Sequence, residues 1–272
     1  IAIIALGGGF DRSDLDSYRR DVLGLDDAYV VRAISVDGVG NVPLARDRLA
    51  AILTAYNDPG NTLADLRKAF GDDLGAAIAT VETTMDVELA MAAAPGAEID
   101  VYFAPGTPMG LYDVFHAICG LHEATDEHGA PYDPGPPAVI SLSWSQPEGL
   151  LAQSTLAIEA AIDRAQCLGV CVVCCSGDAG SYGIKDPKDG SRLASVMYPA
   201  ASPAVLAVGG TQLEGAPDGA ERVWNDDNRG ARQASGGGVS GAFPMPWWQS
   251  GRGVPHHGAL NGPAWISEYV GP

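Results

Sequence analysis

Residues 81–105 read VETTMDVELAMAAAPGAEIDVYFAP, a helix-forming run that leads into a β-rich run. Positions three or four residues apart share one face of a helix, so this spacing places Glu82 and Asp86 on the same stripe of small and apolar residues. The helix is apolar nearly all round, which predicts a core helix, whereas a solvated helix edge is the plainer alternative. Two neighbouring carboxylates at low dielectric do not easily both ionise, and such pairs often perform acid–base chemistry.

The composition limits the classes of protein to which the chain can belong. It has 272 residues, of which 46% are hydrophobic, and this is enough for one sizeable core. The net charge of −18 argues against a nucleic-acid partner, because phosphates require a basic surface. An acidic surface suits a protein that works at low pH. No apolar run reaches the length of a membrane span, and the opening strand-like IAIIAL indicates that the natural N-terminus lies upstream.

The chain has five cysteines, and three of them cluster in GVCVVCCSGD as Cys171, Cys174 and Cys175. The C-x-x-C spacing can bind zinc or perform redox chemistry. No second ligand pair at zinc spacing is present, and the flanking valines favour a central strand. Buried free thiols are therefore predicted, and the odd number of cysteines argues against a disulfide framework.

Strand-like and helix-like stretches alternate along the chain, which predicts an α/β fold with a parallel sheet and helices on both faces. No repeat or linker interrupts residues 1–272, so one domain is expected, with a helical insertion at 44–80 and an exposed loop at 126–137. From Gly209 onward the sequence is loop-like. The predicted strands lie within 1–9, 28–38, 98–105, 136–145, 169–178 and 204–211, and the predicted helices are 11–23, 44–57, 62–94, 109–125 and 151–168.

Active sites of such folds gather at the carboxyl ends of the strands, so residues that follow the predicted strands are the candidates for chemistry. LGGGFDRSD, residues 6–14, suggests a pyrophosphate cradle, with Asp37 as a ribose-binding acid. The pattern requires a glycine where Arg12 stands, and Asp11 would repel a phosphate. Nucleotide binding is therefore a remote alternative.

Two further segments carry potential chemistry. In HEATDEH, residues 122–128, His122 and Asp126 share a helical face that could hold a metal, but the charged surroundings favour a solvated face. In SGDAGSYG, residues 176–183, Asp178 directly follows a strand; it serves either as an Asx-turn or as a carboxyl group aimed into a cleft. A Ser-His-Asp triad fits poorly, because GVSGA and AGSYG each miss the G-x-S-x-G elbow by one position.

Several motifs, taken together and in order, resemble the sedolisin family of serine-carboxyl peptidases, and most closely its kumamolisin-like branch. The resemblance implies a subtilisin-like α/β fold and an endopeptidase that cleaves polypeptides by acyl transfer. The motifs are IAIIALGGGF, ISVDG, ETTMDVELAMAAAPGAEIDVYFAP, VISLSWSQPE, SGDAGS, YPAASPAVLAVGGTQL, VWND, SGGGVSGAFPMPWWQ and GRGVP.

The resemblance also implies roles for individual residues. Glu82 corresponds to the general base that takes the proton of the nucleophilic serine, Asp86 to its supporting carboxylate, and Asp178 to the carboxyl group that stabilises the oxyanion. A carboxyl group donates to an oxyanion only while it is protonated, which requires low pH or a raised pKa. The segment Ser143–Trp144–Ser145 corresponds to the strand that lines the substrate pocket. Family members are secreted, so an extracellular location is expected.

The sequence also departs from the family pattern. In this branch a tryptophan and a first-strand glutamate extend the hydrogen-bond chain beyond the aspartate. Trp144 matches the tryptophan, but Ala5 stands at the position of the glutamate, so the support of Asp86 must differ here. Ser145–Gln146 replaces the usual Gly-Gly and is expected to narrow the pocket. Gln212 stands where a serine would be needed in GGTQL, so this segment is not the nucleophile turn.

The family's nucleophile turn, calcium site and N-terminal propeptide have no counterpart in residues 1–272. A catalytic domain truncated at both ends is therefore expected, with no nucleophile and no metal ligand in this chain, and with Ca²⁺ bound by the complete domain only. This chain alone is expected to be inactive. The alternative within the family is a non-catalytic relative that binds peptides, and the coding sequence beyond Pro272 would separate the two.

Overall fold

The fold is described from a computed structural model, which covers residues 1–148, 154–182, 184–185, 192–215, 219–226 and 233–249. Two compact units follow one another along the chain, Ile1–Ser143 and Trp144–Pro272. Within the described residues, no helix has the length and apolar character that crossing a membrane requires.

The first unit is built on a five-strand sheet in the order β5-β1-β3-β2-β4. β1, β2, β3 and β5 run parallel, and only the short β4 is antiparallel to its neighbour β2. The predicted parallel sheet is thereby confirmed. The strands are β1 Ala2–Ala5, β2 Val31–Val36, β3 Ile99–Phe103, β4 Ala124–Thr125 and β5 Val139–Leu142.

Helices cover both faces of this sheet. α4 packs against β1 and β3, and α5 packs against β2 and β3. On the α4 side, Val87 and Met91 join a core with Ile3, Val101 and Phe103. The helices are α1 Arg12–Ser17, which continues as a π-helical turn Tyr18–Val22, α2 Arg46–Tyr56, α3 Leu63–Phe70, α4 Asp72–Ala93 and α5 Pro108–Ile118.

Two predicted helices are shorter than expected. The run 62–94 is divided at Gly71, whose φ of +55° ends α3 before α4 begins. The helix predicted to extend to residue 125 ends at Ile118, since Gly120 turns the chain with a φ of +70° and Leu121 N–H bonds the carbonyl of His116 at 2.8 Å. The chain is then able to return as β4 along β2.

The region 44–80 is helical, as the sequence predicts. α2, α3 and the first half of α4 enclose a small core of their own, formed by Ile52, Leu66, Leu74 and Ala77. Thr62 begins α3 with a capping box that it forms with Asp65. That this region is an insertion relative to the family stays a prediction.

The second unit contains a parallel strand pair and several short antiparallel pairs. β7 pairs in parallel with β11, and β10 pairs with β6. β12 and β13 form a hairpin, which corrects the expectation that the chain is loop-like after Gly209. The elements are β6 Gln146–Pro147, α6 Ser154–Cys167, β7 Cys171–Cys175, β8 Ile184–Lys185, β9 Arg192–Leu193, β10 Met197–Tyr198, β11 Leu206–Val208, β12 Thr211–Glu214, β13 Ala220–Val223 and a 3-10 turn Trp247–Gln249.

Candidate active site

Helix α4 carries both predicted catalytic carboxylates of the first unit. Glu82 and Asp86 are half-buried and lie one turn apart, as their spacing predicts. Between them in sequence, Thr83 is buried against the sheet side of the helix. The prediction of a helix enclosed in the core is only partly right, because Ile78 and Leu89, on either side of the pair, are more than half exposed. The carboxylates therefore lie where the buried and the solvent-facing sides of α4 meet.

The glycine loop 7–9 supports this helix. Gly8 has a φ of +68°, and a Cβ placed there would lie 2.3 Å from the carbonyl carbon of Ala79 on α4. The hydroxyl groups of Thr83 and Thr84 lie 3.4 Å from the carbonyl oxygens of Gly7 and Gly9, respectively. The glycines thus allow close contact between loop and helix.

The start of α1 gives no support to nucleotide binding. Asp11 caps this helix by accepting a hydrogen bond from the backbone N–H of Ser13 at 2.8 Å. These hydrogen bonds, rather than burial, lower the pKa of Asp11, so a negative charge is held where a phosphate would have to bind. Hydrogen bonding to the charged form of a carboxyl group lowers its pKa in this way.

Asp86 is held by a residue from the neighbouring strand. Ser143, the first residue after β5, donates its hydroxyl hydrogen to Oδ1 of Asp86 at an Oγ–O distance of 2.7 Å. Both residues are partly buried. The two predicted site residues are therefore in direct contact, although sequence reasoning assigned Ser143 to substrate binding.

In the second unit, Asp178 follows β7 and is exposed. Its turn is fixed through the backbone: its carbonyl accepts from Ala234 N–H at 2.9 Å, and that of Gly177 accepts from Gly236 N–H at 2.7 Å. Gly177 has a φ of +94°, and a Cβ there would meet the side chain of Met197 at 2.5 Å. The Asx-turn alternative gains no support, because no hydrogen bond joins the Asp178 side chain to another described residue.

The cysteine cluster borders this turn. Cys174 is buried, whereas Cys175 is half-buried and Cys171 is exposed, so the prediction of buried thiols holds only for Cys174. The Cys175 thiol lies 3.4 Å from the hydroxyl of Ser145. Hydrogen bonding with the Cys174 thiol, and secondly with Ser145, lowers the pKa of Cys175 to about 7. Trp144 has a buried indole N–H without a hydrogen-bond partner in the described part of the chain.

Sequence reasoning missed a buried carboxylate in the second unit. Glu148 accepts hydrogen bonds from the hydroxyl of Ser240 and the N–H of Gly241, both at 2.6 Å. Ser240 in turn accepts a bond from Phe243 N–H at 2.9 Å. Ser240 therefore anchors its glycine-rich loop. Its Gly237–Phe243 stretch lines a pocket of about 730 Å³ together with other residues that include Ser176, Met197 and Leu206.

Among the described residues, one group of three side chains with potential metal-ligand atoms lies close together: Asp37, Asp113 and His122. Nε2 of His122 is 2.7 Å from Asp37, whereas its Nδ1 is 3.9 Å from Asp113, so the two carboxylates face different ring nitrogens. Calcium requires six to eight oxygen ligands, so this group does not fit it. Asp126, which shares the predicted helical face with His122, instead accepts two backbone hydrogen bonds at 2.9 Å in its own loop.

The sequence profile of the Subtilase family matches residues 76–243. The chain is 38% identical to kumamolisin from Bacillus sp. (strain MN-32) over 258 residues, which cover 94% of this chain and 38% of kumamolisin. It is 37% identical to sedolisin from Pseudomonas sp. (strain 101) over 118 residues, which cover 41% of this chain and 20% of sedolisin.

The fold was compared with solved structures. It resembles that of Pseudomonas sedolisin, described as a serine-carboxyl proteinase in complex with two molecules of pseudo-iodotyrostatin, with a TM-score of 0.60 and 24% identity. This match covers 94% of the chain and 61% of that structure. The chain thus spans less than two-thirds of the length of each of these relatives.

The chain therefore belongs to the subtilase family of serine peptidases. Within that class its sequence is similar to those of kumamolisin and sedolisin, as the motifs predicted. The subtilisin-like α/β fold is likewise confirmed.

Proposed function

We propose that this chain forms part of a serine-carboxyl endopeptidase in which Glu82 is the general base, Asp86 supports Glu82, and a protonated Asp178 stabilises the oxyanion. The observation that carries the proposal is the half-buried pair Glu82 and Asp86, with Asp86 anchored by Ser143 at 2.7 Å. The pair lies in a chain that is 38% identical to kumamolisin over 94% of its length.

The chemistry sets different requirements on the carboxyl groups. Glu82 must be ionised to accept the proton of the nucleophilic serine, and Asp86 must accept a hydrogen bond from Glu82 once that proton has moved. Asp178 must be protonated to donate to the oxyanion of the tetrahedral intermediate. These requirements are met together only where pH is low enough for Asp178 to retain its proton, so acidic conditions favour turnover.

The substrate is a polypeptide, and Ser143, Trp144 and Ser145 are proposed to line its binding strand by pairing with its backbone. The nucleophilic serine, a propeptide and a calcium site are expected outside the described residues, and secretion is expected for the whole protein. Ser240 is not proposed as the nucleophile, since its hydroxyl is engaged by Glu148.

The test uses the natural full-length protein, assayed on denatured protein substrates from pH 3 to 8. Glu82→Gln keeps the size of the side chain but cannot accept the serine proton, so turnover should fall by about 10²-fold or more. Glu88→Gln is the matched control, because Glu88 lies on the same helix on a different face. It should leave turnover nearly unchanged.

Two results would contradict the proposal. One is an activity optimum near pH 8, which would exclude a protonated Asp178 as the donor. The other is a Glu82→Gln variant as active as the Glu88→Gln control. A full-length protein that cleaves no substrate and does not bind a peptide aldehyde would indicate the non-catalytic relative instead.

A further inference from the structure

The contact between Ser143 and Asp86 joins residues that lie 57 positions apart in the chain. β1 and β5 pair in parallel with Ile4 opposite Leu142, so Ala5 and Ser143 each follow the last pair of this ladder. Neighbouring residues in register point to the same face of a sheet. Ala5 belongs to the core that contains Val87 of α4, and Ser143 reaches Asp86 on the same helix.

Of these two neighbouring positions, only Ser143 has a polar side chain that can contact Asp86. The methyl group of Ala5 is buried, with 1% of its surface exposed, and offers no donor or acceptor. The hydroxyl group of Ser143 is a donor at 2.7 Å from Asp86 Oδ1. A donor on one carboxylate oxygen fixes the plane of the carboxyl group and favours its ionised form.

We infer that Ser143 is a positioning residue, which holds Asp86 ionised and oriented so that its second oxygen, Oδ2, accepts a hydrogen bond from Glu82 once Glu82 has taken up the serine proton. This inference rests on the proposed function. Since Ser143 directly precedes Trp144 and Ser145, the same short segment that lines the proposed substrate strand also sets the orientation of the Asp86 carboxylate. Ser143 itself does not need to touch the reacting atoms.

The first experiment does not require activity. In the full-length protein, the carboxyl carbon of Asp86 is followed by ¹³C NMR during a pH titration. Ser143→Ala removes the donor, so the pKa of Asp86 should be higher than in the parent chain. Ser143→Thr retains a hydroxyl and should restore the parent value. Ser141→Ala, on the same strand, is the matched control and should have no effect.

The second experiment uses the full-length protein. Ser143→Ala should lower kcat by about tenfold or more with little change in KM, because a hydrogen bond to a charged group is lost and not a substrate contact. The acidic limb of the pH–rate profile, where activity is lost as pH falls, should move to higher pH. Ser143→Thr should recover both values.

The outcomes separate the two proposals. An unchanged pKa of Asp86 in a folded Ser143→Ala chain would overturn the positioning role, whatever the activity. A rise in KM at unchanged kcat would assign Ser143 to substrate binding alone. If the parent protein shows no peptidase activity, the proposed function fails, and the NMR titration still decides whether Ser143 controls Asp86.

Discussion

At the scale of single residues, the turn after β7 brings a thiol close to the proposed oxyanion carboxyl. Cys175 lies three positions before Asp178 and contacts Ser145 of the proposed substrate strand at 3.4 Å. Asp178 opposes ionisation of the Cys175 thiol, but hydrogen bonding with Cys174 is the larger effect, so the pKa of Cys175 falls to about 7. Thiolate is the reactive form of cysteine.

We therefore expect iodoacetamide to label Cys175 at pH 7 and its labelling rate to reach half of its maximum near that pH. Peptide mapping by mass spectrometry from pH 5 to 9 measures this directly, with the exposed Cys167 as the comparison within the same chain. Ser145→Ala removes one hydrogen-bond partner and should shift the labelling curve to higher pH. If the labelling rate of Cys175 reached half of its maximum only near pH 8.5, the pKa of an ordinary thiol, the lowered pKa of Cys175 would be contradicted.

At the scale of elements, the glycine loop and α4 form the frame of the Glu82 and Asp86 pair. Gly8→Ala combines an unfavourable φ of +68° with a Cβ only 2.3 Å from the α4 backbone. Gly38→Ala introduces the strain alone, because its φ is +76° and nothing lies within 4 Å of the added atom. Gly38→Ala should therefore lower the free energy of unfolding by about 1–3 kcal/mol.

Gly8→Ala should cost several kcal/mol more, since helix backbone must move to admit the methyl group. Urea unfolding of both variants, followed by circular dichroism, gives the two values. Equal losses would mean that the loop can move away from α4, and the frame would then be weaker than its contacts indicate.

The elements also show why part of the site can be predicted from sequence. The shared face of Glu82 and Asp86 follows from helical periodicity, which is a local property. The contact of Ser143 with Asp86 depends on strand register and on packing of α4, neither of which any local pattern contains. The β12–β13 hairpin could not be predicted for a related reason. The glycines and prolines around it are typical of a loop, and residues that pair in it, such as Thr211 and Val223, are well separated in the sequence.

At the scale of the whole molecule, carboxyl groups outnumber cationic groups, with 34 Asp and Glu against 16 Lys and Arg. Two classes of carboxyl group respond differently to acid. Burial raises the pKa of Glu88, Asp113 and Glu159, so their cost to the folded state is present at neutral pH and is relieved as pH falls through the raised values. Hydrogen bonds lower the pKa of Asp11 and Asp126, whose contribution is present above their unfolded pKa and lost as pH falls through the folded values.

Both classes, together with the net charge of −18, predict a stability maximum on the acidic side of neutrality. The melting temperature at low ionic strength should rise as pH falls from 7.5, because self-repulsion and the cost of the raised-pKa carboxyl groups decrease. It should fall again as pH drops from about 3.9, the pKa of an aspartate in the unfolded chain, through the lower folded values of Asp11 and Asp126. Differential scanning calorimetry at each pH measures this profile. Adding about 1 M salt should raise the melting temperature mainly at pH 7.5, because it shortens the Debye length to about 3 Å.

Glu159→Gln provides a matched test of this argument. Oε2 of Glu159 accepts a hydrogen bond from the Tyr198 hydroxyl, and Oε1 accepts one from the Ser202 hydroxyl. An uncharged glutamine keeps one of these two acceptors, and its amide N–H can donate to the other hydroxyl oxygen. The variant should gain more stability at pH 7.5 than near pH 4.3, the ordinary pKa of a glutamate, so its pH profile should be flatter than that of the parent. A parent chain whose melting temperature is highest at or above pH 7.5 in low salt would show that self-repulsion and buried carboxyl groups do not dominate its response to pH.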